Sequence, residues 1–278
     1  MKELKNPQNT VHLYGFINGV RLTELDGKTA INLDICTLEQ YADKDGNSQT
    51  KRTFHDVALF TDDKKTIALF NGIAADCKKN AENRDVEGYT PRVHTLSAEG
   101  VLVNRGDTLQ VMTSADTIKV DTKQEEKEVR NSAKLVGNVA KIAVYEDKKF
   151  AVVTLIHHYR PKDSDKDYET VVDIRVNGDR KYSKAAYDAI VSGDIKKGDF
   201  VRMGGQIHNN RYETENGVKY VRAIDLTSYE MLKHKEEKKE EVKEAPKAKK
   251  SAAKKTGETK KTVKSEKKTV RKGKALSA

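Results

Sequence analysis

The 278-residue chain carries 53 Lys and Arg against 43 Asp and Glu, with 36% hydrophobic and only 6% aromatic residues. That balance excludes one large core along the whole length and allows one or two ordinary domains. The charge is uneven: residues 233–278 hold 18 basic and 7 acidic side chains and residues 1–232 hold 35 and 36, so an anion site on the body must be a local patch.

Two cysteines, Cys36 and Cys77, make neither a disulfide framework nor a zinc site, and they point to a reducing compartment. The first ten residues lack an apolar stretch suited to secretion, and no run approaches the roughly 18 apolar residues of a membrane span. The expectation is a soluble cytoplasmic protein with no membrane partner.

Residues 1–9 read as a polar leader. Residues 10–25 read as a long strand with Val11, Leu13 and Ile17 on one parity and Gly15 placed to bend it. Asp26-Gly27 turns the chain into a second strand, 28–40, with Ile31, Leu33 and Ile35 inward. After a polar loop, strand 51–60 places Val57 and Leu59 on the inner parity and Phe54, Asp56, Ala58 and Phe60 on the other. Two phenylalanines opposite the core want a partner, either a second layer or a subunit contact. Thr61-Asp62-Asp63 caps a helix running towards Asn80, with Ile67, Ala68, Phe70, Ala74 and Ala75 available for packing. Residues 92–103 and 108–120 complete this half as a hairpin.

Residues 124–131 read as a polar linker, and the plan then repeats. Strand 133–145 is interrupted by Gly137, and strand 150–159 follows the turn at Glu146-Asp147. Strand 168–176 has Thr170, Val172, Ile174 and Val176 inward. Ser183 caps a helix over 184–191, and Gly193 suits its end. The closing hairpin starts at Lys197-Gly198-Asp199, alternates Val201, Met203 and Ile207 with polar residues, and turns at Glu215-Asn216-Gly217. Paired Gly204 and Gly205 predict a bulge that coils the sheet. Arg202, Arg211, Tyr212, Lys219, Tyr220 and Arg222 are spread along it. Past Lys233 a charged helical stretch gives way to a Lys-rich segment too poor in apolar surface to order itself.

Two halves of three strands, a helix and two strands predict an all-β protein with short helices. The expected architecture is two tandem five-stranded OB-fold barrels at 1–123 and 132–232, joined by 124–131, with a disordered Lys-rich tail at 233–278. At residue level the chain resembles the bacterial single-stranded DNA-binding protein family, in its tandem two-OB form. The matching runs are Leu33 to Tyr41 and Thr53 to Phe60 in the first half. In the second they are Lys196 to Gly205, then Asn210-Arg211-Tyr212 and Asn216-Gly217.

The resemblance implies base stacking at the end of strand two, at the start and end of strand three, and at the tip of the last hairpin. Tyr41, Phe54 and Phe60 fall on three of these in the first half. The second half offers Tyr159 and Tyr212, while its strand-three positions fall near Val171 and Asn177. Aromatics bind a strand without reading sequence because every base has a π face, and cations neutralise phosphates; Lys51, Arg52, Arg202, Arg211 and Lys219 are the candidates for the phosphate role. The family's tryptophans are missing, as the chain has none. So is its acidic C-terminal tip, here replaced by a basic one that would add sequence-blind phosphate contacts.

The reading is therefore a non-enzymatic, nucleoid-associated protein that coats and protects single-stranded DNA in replication, recombination or repair, assembled as a dimer that supplies four OB folds. An RNA-binding or RNA-chaperone module is one alternative. A protein-interaction scaffold whose tail alone touches nucleic acid is another. The seven histidines form no metal-binding spacing, and no phosphate loop or nucleophile motif is present, so neither a metal nor a cofactor is expected.

Overall fold

The computed structural model describes residues 9–42, 45–106, 108–121, 131–159, 168–214 and 217–235. The predicted linker at 124–131, apart from Asn131, which begins a strand, the loop at 161–167 and the tail beyond residue 235 lie outside the described residues, as do the side chains of 211–214 and 218–220.

The first half comprises β1 (Asn9–Leu25), β2 (Lys28–Ala42), β3 (Ser48–Thr61), α1 (Lys64–Glu82), β4 (Thr95–Arg105) and β5 (Thr108–Asp121). The second comprises β6 (Asn131–Tyr145), a 3-10 turn (Glu146–Lys148), β7 (Phe150–Tyr159), β8 (Tyr168–Asn177), α2 (Lys184–Val191), β9 (Phe200–Thr214) and β10 (Gly217–Lys233). β1 pairs with both β2 and β4, β2 with β3, β4 with β5, and β3 with β5 in parallel, which closes a five-stranded barrel. β6, β7, β8, β10 and β9 close a second barrel by the same pairings. This is the OB topology twice over.

Each barrel closes because its first strand bends enough to serve two neighbours. A register shift falls between Ile17 and Gly19 in β1, and its counterpart between Val139 and Lys141 in β6. At the bends of these first strands only glycine fits: a Cβ on Gly15 would collide with the carbonyl of Cys36, and one on Gly137 with that of Ile156. In the last hairpin the extra residue is Thr227 on β10, opposite the predicted glycine pair, where the register shifts between Leu226 and Ser228.

The alternating residues face inward as expected, and Val11, Leu13, Ile31, Ile35, Leu59, Leu155, Ile174 and Val201 are all buried. Asp63 caps α1 by accepting from the amides of Lys65 and Thr66 at 3.4 and 2.8 Å. α1 buries Phe70 and Ile73 rather than the alanines at 68 and 75, because residues three apart share its inner face. Ser183 sits at the start of α2 but makes no capping bond there; its hydroxyl donates to Asn177 O at 2.6 Å, tying the helix to β8.

The barrels meet around an approximate two-fold axis. β1 and β6 pair antiparallel, with Val11 opposite Ala133 at the centre. On one side Asn104 donates to Val171 O at 3.1 Å and accepts from its amide at 2.6 Å; on the other Asn209, the counterpart of Asn104, donates to Phe54 O at 2.9 Å. Their buried side chains join in one continuous cluster.

Candidate nucleic-acid interface

Register decides which side chains share a surface, since opposite residues in a pair point to the same face. On the outside of the first barrel, Phe54 lies opposite Cys36 and Phe60 opposite Ala30. Phe54 is 38% and Phe60 51% exposed. Two rings open to solvent on the same face of one strand, six residues and so roughly 20 Å apart, form an aromatic platform on this sheet. Arg52, also exposed, continues this face opposite Leu38.

Beside the platform runs a groove of about 680 Å³ between this sheet and the β4–β5 hairpin, with Arg21, Asn32, Asp34, Asp56, Arg105 and Gln110 among its walls. Arg105 donates to Asn32 Oδ1 at 3.4 Å. Neither Arg21 nor Arg105 stands out in the sequence, because the strands that bring them together are distant along the chain. The groove also holds two carboxylates facing each other across β2 and β3. Asn18 donates to Asp34 at 2.9 Å, and Arg222 pairs with Asp56, which offsets their repulsion.

Tyr41, half exposed, lies opposite Gln49, and Lys51 lies opposite Glu39. Both have the parity of the buried His55, so they extend past the barrel rim rather than joining Phe54 and Phe60 on one face. At this rim the first barrel touches the second through charge. His208 Nε2 lies 3.2 Å from Glu39, and its Nδ1 lies 2.8 Å from Asp225. Burial opposes ionisation of Asp225, but the hydrogen bond from His208 and the charges of Arg175, His208 and Lys51 outweigh it and hold the carboxyl below its usual range. Arg222 binds Asp56, donates to Leu109 O at 2.9 Å and reaches Asn209 Oδ1 at 3.2 Å. Along the sequence Arg222 reads as one of several cations on an open hairpin; in the fold it is committed to the joint between barrels. Burial, followed by the charges of Arg222 and His208, pushes His55 down to about 3, so it is neutral, with Thr37 Oγ1 2.8 Å from its Nε2.

In the second barrel Tyr159 stacks on Tyr168, with ring centroids 5.5 Å apart and planes at 28°. Tyr168, 44% exposed, does not stand out in the sequence; the signal is the β7–β8 register, which sets it opposite Tyr159. His157 and His158 point to opposite sides. His157 is buried and donates to Val136 O at 2.7 Å, and His158 lies 3.3 Å from Glu169. The strand-three positions are held by Val171 and Asn177. Arg202 is paired with Glu230, so a phosphate would have to share it. β9 and β10 carry Arg211 opposite Tyr220 and Tyr212 opposite Lys219, but these side chains lie outside those described. Among the described residues no group of three His, Cys, Asp or Glu could hold a metal, and no helix is long and apolar enough to cross a membrane.

No family model matches the chain, and no curated protein does. Solved structures do. The single-stranded DNA binding protein from Thermus aquaticus superposes with a TM-score of 0.51, over 83% of this chain and 95% of that one, at 15% identity. A deletion variant of the same protein gives 0.51 over 84% and 98%, at 14% identity. At such identities the likeness concerns the fold, and it extends across both barrels.

Proposed function

We propose that the chain binds single-stranded DNA without reading its sequence, and that it coats and protects the strand in replication, recombination or repair. The observation that carries this reading is the pair of solvent-open rings, Phe54 and Phe60, on one sheet face beside a groove holding Arg21 and Arg105. Stacking on rings with phosphates neutralised alongside is how barrels of this kind hold an unpaired strand. The likeness in fold to a single-stranded DNA binding protein supports it.

In this reading the units are 1–123 and 132–232, and the tail from 233 adds sequence-blind phosphate contacts. Two chains pair to supply four folds. Titration with oligo-dT should give sub-micromolar binding, on the order of the low end for stacked strands, that weakens as salt rises. Duplex of the same length should bind more weakly, and equal affinity for both would count against the reading. Competition with poly-U separates an RNA binder from a DNA binder.

A second reading, a scaffold whose tail alone touches nucleic acid, is favoured by Asp34 and Asp56 in the groove. A truncation separates the two, and it should keep residues to Lys235, whose amide donates to the buried Asp199 at 2.9 Å. If all binding leaves with residues 236–278, the barrels are not the readers.

A further inference from the structure

The outer sheet of each barrel lays its residues out in the same grid, and the grids differ in an informative way. In the first barrel the rows across β1, β2 and β3 are Thr23–Ala30–Phe60, Arg21–Asn32–Ala58 and Gly19–Asp34–Asp56. In the second barrel the rows across β6, β7 and β8 are Tyr145–Phe150–Asn177, Ala143–Val152–Arg175 and Lys141–Thr154–Asp173. The ring that the first barrel places on its third strand is replaced by asparagine in the second. In the same row, rings appear on the two strands beside it. The arginine of the middle row moves the opposite way, from the first strand to the third.

The result is a built surface. Tyr145 and Phe150 sit with centroids 6.0 Å apart and planes at 32°, and the guanidinium of Arg175 lies 5.2 Å from the Phe150 centroid. Phe150 is half-buried under Arg175, whereas Tyr145 is 45% exposed. A groove of about 280 Å³ runs alongside, with Lys141, Val152 and Thr154 in its wall. Lys141 and Arg175 stand beside Asp173, which accepts from Thr154 at 2.7 Å. Arg175 is shared with Asp225 at 3.4 Å, yet its Nε is buried without a hydrogen-bond partner among the described atoms.

We infer that this surface is a stacking subsite of the second barrel, in which a base of a single strand rests on Tyr145, backed by Phe150, with its flanking phosphates on Lys141 and Arg175. The inference rests on the single-strand-binding reading and adds a site to it: the second barrel lacks the strand-three ring and carries the stacking function across the sheet instead, on β6 and β7.

The test uses the full chain, titrated with oligo-dT, together with photo-crosslinking to oligo-dT carrying 5-iodo-deoxyuridine. Tyr145→Ala should weaken binding about fivefold or more, the effect of one base–aromatic contact. Tyr145→Phe should bind like the wild type, because the ring is kept. The crosslink should map to Tyr145, and both variants should melt like the wild type. If Tyr145→Ala binds unchanged while Phe54→Ala/Phe60→Ala loses affinity, this subsite is overturned and the wider reading stands. Equal losses from Tyr145→Ala and Tyr145→Phe would assign the effect to the hydroxyl and overturn stacking. A wild-type chain that ignores oligo-dT would remove both the function and the subsite.

Discussion

The two barrels close by the same strand pairings and the same pair of bends, yet the two contacts that join them are not alike. At one, β2 and β3 of the first barrel meet β9 and β10 of the second through Glu39–His208–Asp225 and Asp56–Arg222. At the other, where β4 meets β8, the side chains at the places of Glu39 and Lys51 are the stacked rings of Tyr159 and Tyr168. A closed barrel fixes backbone and inner face alone. The outer face and the rims are therefore free to differ, and a tandem chain can divide roles between copies that a single repeated barrel could not.

The plugs of the two barrels give the largest expected effect. α1 fills the first with Phe70 and Ile73, while α2 buries the smaller Ala186 with Ile190 in the second and packs Tyr187 and Ala189 beside them. Phe70→Ala should cost about 3–5 kcal/mol in urea unfolding, and Ile190→Ala less, roughly 2–3 kcal/mol. A comparable loss from both would mean that the helices plug their barrels equally.

The charged rim comes next. Arg222→Ala removes a cation that binds Asp56 and leaves Leu109 O without its donor, and it should destabilise the chain by about 2 kcal/mol. Tyr168→Ala, at the aromatic rim and partly exposed, should cost less than about 1 kcal/mol.

Acid should act on the same charged rim. His55 is neutral in the fold with its value near 3 but takes up a proton near 6.5 when unfolded, so the unfolded state binds more protons between those values. Stability is therefore complete above pH 6.5 and falls as pH drops towards 3, by about 2 kcal/mol at pH 5. Asp225, held below its usual range, adds a loss of the same sign at lower pH. Urea midpoints at pH 7 and pH 5 measure it, and His55→Leu should flatten part of the difference, with the remainder from His157, which burial also pushes below the usual histidine range. A wild-type midpoint that holds steady over that interval would contradict the assignment of His55 as a buried neutral group.

Most of the fold is legible in the sequence because period-two alternation and turn residues are local signals. The run from Phe150 to Tyr159 shows it as a strand, and Asp63 as a cap needs only the three residues after it. What is not legible depends on pairing between distant strands. Ile73 does not stand out from the nearby alanines in the sequence because the inner face of α1 is set by the barrel it packs against. Arg222 reads as one more exposed cation until Asp56, far away in the chain, is seen beside it. Phe54 and Phe60 could be placed on one face from their own spacing, whereas Tyr145, Phe150 and Arg175 come together only once β6, β7 and β8 are in register.

The most direct measurement is oligo-dT affinity of Phe54→Ala/Phe60→Ala, compared with the wild type at one salt concentration. Loss of two stacking rings predicts a fall of at least about 30-fold with an unchanged salt slope, because no phosphate contact is removed. Wild-type affinity in the double variant would contradict the claim that an unpaired strand lies across the outer sheet of the first barrel.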